Sequence, residues 1–197
     1  VRATWWSEEQ ARRIATVTYG GPLHDRHLHA RVAHLLAHQR LLEYRGHFSQ
    51  MPLWLTEGLG HWFERRFNER RYRDTFCKLG NPKPGETGHD FDWGVTDWKG
   101  EIRSIVSRGG DHPANKIALW STKKNELPVA AHAQAWSMVS YMLSMDKTRF
   151  RTFIDALKGQ PPGDLDLLGH ANAFEVAYGV NPVRFHRHWR TWVSRSR

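Results

Sequence analysis

Residues 34–38 read H-L-L-A-H and residues 53–59 read L-W-L-T-E-G-L, and these two segments decide the fold of the chain. Asp25 can cap a helix over about 25–44. Pro52 suits the first turn of a second helix over about 52–71. We expect the charged second half of the second helix, from Glu64 onward, to lie in solvent. Residues at helical spacing supply the apolar face of the first helix: Leu28, Val32, Leu35, Leu36 and Leu42.

The spacing of two histidines and one glutamate is that of a metal site. Residues i and i+4 of a helix lie on one face, so His34 and His38 can direct two imidazoles at one ion. Glu57 on the following helix can supply a third ligand, and zinc accepts both groups in a tetrahedral site with an open fourth position. His61 lies one turn after Glu57, where it can orient that carboxylate by a hydrogen bond or act as a fourth ligand.

Two other interpretations stay open at the level of sequence. The chain has 13 histidines, and a pair at this spacing is more often a surface or core pair than a pair of ligands. A buried Glu57 needs a partner, because burying an unpaired carboxylate is costly. An arginine such as Arg65 or Arg31 can be that partner in place of a metal.

The segments around these residues resemble one family of proteins. Residues 33–39, A-H-L-L-A-H-Q, and 53–59 are similar to the gluzincins, in particular the bacterial peptidase-MA-like domains. Those domains carry an H-E-x-x-H helix followed by a W-L-x-E-G segment. Residues 132–136, H-A-Q-A-W, resemble a family helix that often reads Y-A-Q-A-W, and the tail resembles the closing helices. The resemblance covers most of residues 28–193 and is patchy across 79–127.

The resemblance implies a role for each matching residue. His34, His38 and Glu57 match the zinc ligands, so Zn²⁺ is the implied cofactor. His132 falls where a tyrosine is common, and a donor there can stabilise an oxyanion or supply a proton. Leu35 occupies the position of the general base, which is a glutamate in the family. The family also leans toward exported, extracytoplasmic bacterial proteins.

Leu35 changes the function that the resemblance implies. In the family mechanism zinc lowers the pKa of its water toward about 7, and the glutamate takes the proton and passes it to the leaving amine. A positioned acid–base group contributes about 10²- to 10⁴-fold to the rate, and leucine has no lone pair. We therefore expect a pseudoenzyme that binds zinc and serves as a binding or structural module for a protein or peptide partner.

Two alternative functions remain. The chain can be an active zinc hydrolase in which another acid, such as Glu43 or Asp90, reaches the site and acts as the base. It can instead be a basic helical module whose histidines are incidental and whose partner is anionic. The formal charge of +9 favours an acidic partner, among which nucleic acid is the less favoured.

Several features of the chain limit its class. Its single cysteine, Cys77, excludes an internal disulfide framework, and no apolar run is long enough to span a membrane. The basic segment Arg184–Arg197 carries Phe185, Trp189 and Trp192 at helical spacing. We expect these aromatic residues to pack on the core while the arginines face water. The first residue is valine, which favours a processed form or a fragment of a longer protein.

We predict a single α+β domain over residues 1–197 that is mainly helical, with a zincin-like metallopeptidase half and a C-terminal helical part. Residues 1–78 hold the metal-site helices and include a strand over Ala15–Tyr19. Residues 79–127 form an irregular insertion with a short strand over Glu101–Val106. Residues 128–197 form the C-terminal helical part, with these helices: Val129–Met145, Thr148–Leu157, 170–178 and a last one opened by Asn181-Pro182.

Overall fold

The structure is a computed structural model of the chain. It describes residues 2–5, 15–18, 25–45, 51–67, 97–118, 127, 129–158 and 167–196. These residues form two strands and eight helices: β1 Arg2–Trp5, β2 Ala15–Thr18, α1 Asp25–Arg45, α2 Leu53–Phe67, α3 Trp98–Ser107, α4 Ala114–Ala118, α5 Val129–Met145, α6 Lys147–Lys158, α7 Leu167–Tyr178 and α8 Pro182–Arg195. The described part is therefore mainly helical, as predicted. None of its helices combines the length and the apolar character needed to cross a bilayer.

The two strands form a short antiparallel ribbon. Arg2 pairs with Thr18 and Trp5 pairs with Ala15, so the strand predicted near Ala15 is present. A ribbon of this size does not establish an α+β or zincin-like architecture, and both stay predictions. Ser7 and Gln10 have the spacing of a capping box, which predicts a short helix to about Arg13, and this segment falls outside the described residues.

Helix α2 lies between α1 and α5 and contacts both. Its contact with α5 is close at Gly58, where a β-carbon would lie 2.6 Å from the backbone oxygen of Ala135. Trp54, on the same helix, is buried and stacks on Phe174 of α7 at an interplanar angle of 11°. Helix α2 therefore contributes Trp54 to the apolar core and also carries the buried Glu57.

The C-terminal helix α8 packs as its sequence predicts. The side chain of Asn181 accepts a hydrogen bond from the backbone N–H of Arg184 at 2.8 Å, and Pro182 occupies the first turn. Phe185 and Trp189 are buried, and Trp192 is partly buried against the same core. The aromatic stripe therefore belongs to the core, which confirms the packing that we expected.

The strand predicted over Glu101–Val106 is wrong, because this segment lies inside helix α3. Asp97 caps that helix by accepting the N–H of Gly100 at 2.9 Å. Its buried residues Ile102, Ile105 and Val106 recur at i, i+3 and i+4, which is the period of a helix and not of a strand. Helices α3 and α4 thus occupy part of the predicted irregular insertion, while residues 79–96 and 119–126 lie outside the described ranges.

Helix α1 begins and ends within one residue of its predicted bounds, but its apolar face differs. Val32 is 37 % exposed and Leu36 is 50 % exposed, whereas His34 and His38 are buried. The interior face of α1 is therefore partly polar. His34 and His38 point into the interior, toward Glu57 of α2.

Candidate metal centre

The structure brings the three predicted ligands together in the interior. Nε2 of His34 lies 3.4 Å from Oε2 of Glu57, and Nε2 of His38 lies 3.6 Å from Oε1 of the same carboxylate. Two ligands of a tetrahedral zinc ion lie about 3.3–3.4 Å apart, because each is about 2.0–2.1 Å from the metal. The separations are therefore those of a group that can hold a metal ion.

The side chain of Glu57 is buried and makes no hydrogen bond with the part of the chain that the structure describes. Its side chain is 1 % exposed, and neither of its oxygens has a hydrogen-bond partner among the described residues. Nε2 of His38 is in the same situation. Buried polar atoms in folded proteins are almost always satisfied, and a cation between these atoms would satisfy them. The residues thus fit a metal ion.

Arginine was the alternative partner for Glu57, and the structure places Arg65 elsewhere. Its guanidinium carbon lies 5.2 Å from the ring centre of Trp98 and 5.0 Å from that of Trp136. Stacking over indole rings is a favourable position for this cation. The side chain of Arg31 is outside the described part of the structure.

Glu64 is a member of the site that the sequence interpretation missed. We expected it in solvent, yet it is 2 % exposed. Its Oε1 lies 2.9 Å from Nδ1 of His34, and its Oε2 lies 2.8 Å from Nδ1 of His61. A carboxylate at Nδ1 holds the proton on that nitrogen and leaves Nε2 as the ligand atom. Glu64 therefore contacts Nδ1 of two histidines of the cluster, a position from which it can orient both rings.

His61 and His132 complete the cluster. Nε2 of His61 lies 4.0 Å from Oε2 of Glu57, which is longer than a hydrogen bond, so His61 does not orient Glu57 in the predicted way. It lies instead 2.9 Å from Nδ1 of His132. His132 is 6 % exposed and lies 3.6 Å from Oε2 of Glu57. Four imidazoles thus surround one carboxylate.

The protonation states of the cluster suit a metal. Burial, followed by the charge of a neighbouring histidine, lowers the pKa of both His38 and His132 from 6.5 to about 3. Burial opposes ionisation of the glutamates, but the histidines outweigh it. They hold the pKa of Glu57 well below its usual range and lower the pKa of Glu64 to about 2. Neutral imidazoles and ionised carboxylates are the forms that coordinate metals.

Gly60 makes room for the imidazole of His34. A β-carbon on Gly60 would lie 2.6 Å from Nε2 of His34 and 2.7 Å from the adjacent ring carbon, Cε1. Real β-carbons do not approach other atoms so closely, so any other residue would displace the imidazole. Residues 57–60, E-G-L-G, therefore carry the predicted ligand Glu57 and two glycines. Gly58 allows the close contact with α5, and Gly60 leaves space for the ring of His34.

Of the two proposed bases, only Glu43 lies in the described part of the chain, and it is not at the cluster. Glu43 accepts hydrogen bonds from Gln39 and Arg40, each at 3.0 Å, and belongs to the surface of α1. Asp90 lies outside the described residues. Leu35 is 3 % exposed and belongs to none of the clusters of buried apolar side chains in the described part of the chain.

Comparison of the chain with protein-family models, with curated proteins and with solved structures finds no match.

Proposed function

We propose that the chain is a zinc-binding, peptidase-like domain whose hydrolytic activity is impaired and which serves as a binding or structural module. His34, His38 and Glu57 hold the ion. The zincin-like fold and the kinship with peptidase-MA-like domains belong to the same proposal. The observation that carries it is the buried carboxylate of Glu57, which lies between two imidazoles and has no hydrogen bond from the described residues.

The chemistry of the ligand atoms supports zinc. Imidazole nitrogen together with one carboxylate oxygen is a donor set that zinc prefers, whereas magnesium and calcium prefer sites made of oxygen. Glu64 contacts Nδ1 of His34 in the way that carboxylates support zinc-bound histidines. When bound, the ion would supply a Lewis acid to this site.

The absence of a base supports impaired hydrolysis. Leu35 has no lone pair and cannot accept a proton. The two carboxylates of the cluster are both engaged, because Glu57 is a ligand and Glu64 contacts Nδ1 of His34 and of His61. A positioned general base contributes about 10²- to 10⁴-fold to such a reaction, and the described residues of this site do not supply it. The proposed role is therefore to bind a protein or peptide partner or to support the fold, and not to turn over a substrate.

Metal analysis of the whole chain tests the proposal. The protein is purified without a histidine tag, and its zinc content is measured beside the variants His34→Ala and His38→Ala. We expect zinc in the native chain and a large loss of zinc in both variants. His188→Ala is the matched control, since His188 is exposed on α8. A native chain that takes up no zinc even when zinc is offered would contradict the proposal.

A further inference from the structure

A second set of ligand atoms shares Glu57 with the first. Oε2 of Glu57 lies 3.6 Å from Nδ1 of His132 and 4.0 Å from Nε2 of His61, and these two nitrogens lie 2.9 Å apart. All three residues are at most 6 % exposed. They form a group that can hold a metal ion, and this group shares only Glu57 with the group made by His34, His38 and Glu57.

Glu64 supports both sets in the same way. One of its oxygens contacts Nδ1 of His34, which belongs to the first set, and the other contacts Nδ1 of His61, which belongs to the second. Each contact leaves an Nε2 atom as a possible ligand. A single carboxylate that orients one histidine from each set is expected when both histidines are ligands.

Glu57 is placed to serve two ions. Its Oε1 lies nearest to His38, whereas its Oε2 lies within 4.0 Å of His34, His61 and His132. Neither oxygen has a hydrogen-bond partner in the described residues, so both can coordinate. Carboxylates of this kind lie between the paired ions of two-metal sites, which are about 3.5–4 Å apart.

We propose that the cluster is a two-metal centre, with one ion held by His34, His38 and Glu57 and a second held by Glu57, His61 and His132. This inference rests on the proposed function, because it adds a neighbour to the first ion. The second position offers two imidazoles and a carboxylate oxygen. Its ligand is therefore a divalent ion that favours nitrogen, such as zinc or cobalt, and not magnesium or calcium.

A different arrangement makes a different prediction. The 2.9 Å separation of His61 and His132 also suits a hydrogen bond, in which His132 donates to His61 and His61 donates to Glu64. In that arrangement the pair only supports the first site. The chain would then bind a single ion.

Stoichiometry separates the two arrangements. The full metal-free chain is titrated with Co²⁺ and with Zn²⁺ by calorimetry, and bound metal is counted by elemental analysis. We expect about two ions per chain and, by X-ray absorption, metal–metal scattering at about 3.5–4 Å. One ion without that scattering would overturn the two-metal centre and leave the proposed function intact. No bound ion would overturn both.

Substitutions then assign the two positions. We expect His132→Ala to lose one of the two ions and keep the other, and His38→Ala to do the same for the opposite position. His188→Ala should keep both. Two ions retained in His132→Ala would overturn the assignment. The measurements on the native chain decide the question by themselves if a variant does not fold, which a thermal melt reports.

Discussion

Gly60 and His34 share one small space in the interior, because a β-carbon on the glycine would lie 2.6 Å from Nε2 of the imidazole. The imidazole of His34 thus occupies the space that a side chain at position 60 would need. It is held there by Glu64, at 2.9 Å from its other nitrogen. Helices α1 and α2 therefore pack closely against each other at His34 and Gly60.

The substitution Gly60→Ala is predicted to weaken zinc binding by about tenfold or more, which corresponds to about 1.4 kcal/mol. The added methyl group must push His34 away from Glu57. Affinity is measured by competition with a chelator of known strength. Gly110→Ala is the control, since a β-carbon there meets its nearest atom at an ordinary 3.6 Å. Equal affinities in the two variants would show that His34 is not a ligand.

The substitution Glu64→Gln is predicted to lower zinc affinity by about 10- to 100-fold. An amide has one acceptor oxygen and one donor group, so it can accept the N–H of His34 or of His61 but not both. Glu43→Gln serves as the control because Glu43 lies on the surface of α1. The same chelator competition reports the outcome. An unchanged affinity in Glu64→Gln would exclude the orienting role.

Hydrolysis is predicted to appear when the missing base is supplied. In the zinc-loaded chain, Leu35→Glu should cleave peptides about 10²- to 10⁴-fold faster than the native protein. Leu35→Gln has nearly the same shape without a basic carboxylate, and it should stay inactive. Cleavage of a fluorogenic peptide library measures both. Native activity that depends on His34 would instead support an unrecognised base.

The metal-free chain is predicted to lose stability as the pH falls below about 6.5. The pKa of His38 and of His132 is about 3 in the folded chain and about 6.5 when unfolded, so the unfolded state binds more protons. Between these two pKa values, protonation of each histidine in the unfolded state lowers the free energy of unfolding by about 1.4 kcal/mol for each unit by which the pH falls. Below about pH 4.5 Glu57 and Glu64 act in the same direction, since their folded pKa values are depressed.

Urea unfolding between pH 7 and pH 5 measures this dependence. The variant His188→Ala should show the same slope, because His188 is exposed and lies outside the cluster. A free energy of unfolding that does not change over this range would show that the buried histidines take up protons in the folded chain.

Local signals in the sequence were sufficient for several elements. The bounds of α5 match the prediction, and α8 begins where Asn181-Pro182 provides a cap and a first turn. The convergence of His34, His38 and Glu57 followed from the spacing of ligands on two adjacent helices. The helix bounds depend on neighbours along the chain, which a sequence displays directly.

The missed features depend on tertiary contacts. Glu64 begins the run E-R-R-F, whose charges indicate a solvated helix end, yet histidines from two helices bury it. Its position at i+7 from Glu57, on the same face, was a readable signal. The β-branched residues of α3 favour a strand, but the Asp97 cap and the spacing of Ile102 and Ile105 favour the helix that forms.

The buried carboxylate of Glu57 also affects the expected abundance of the protein in a cell. A chain that folds around this group without a cation keeps a buried negative charge with no hydrogen bond from the described residues. An ion that binds only the folded form raises the free energy of unfolding, and its removal enlarges the unfolded fraction that proteases degrade. We therefore expect the abundance of this chain to rise and fall with the metal supply of the cell.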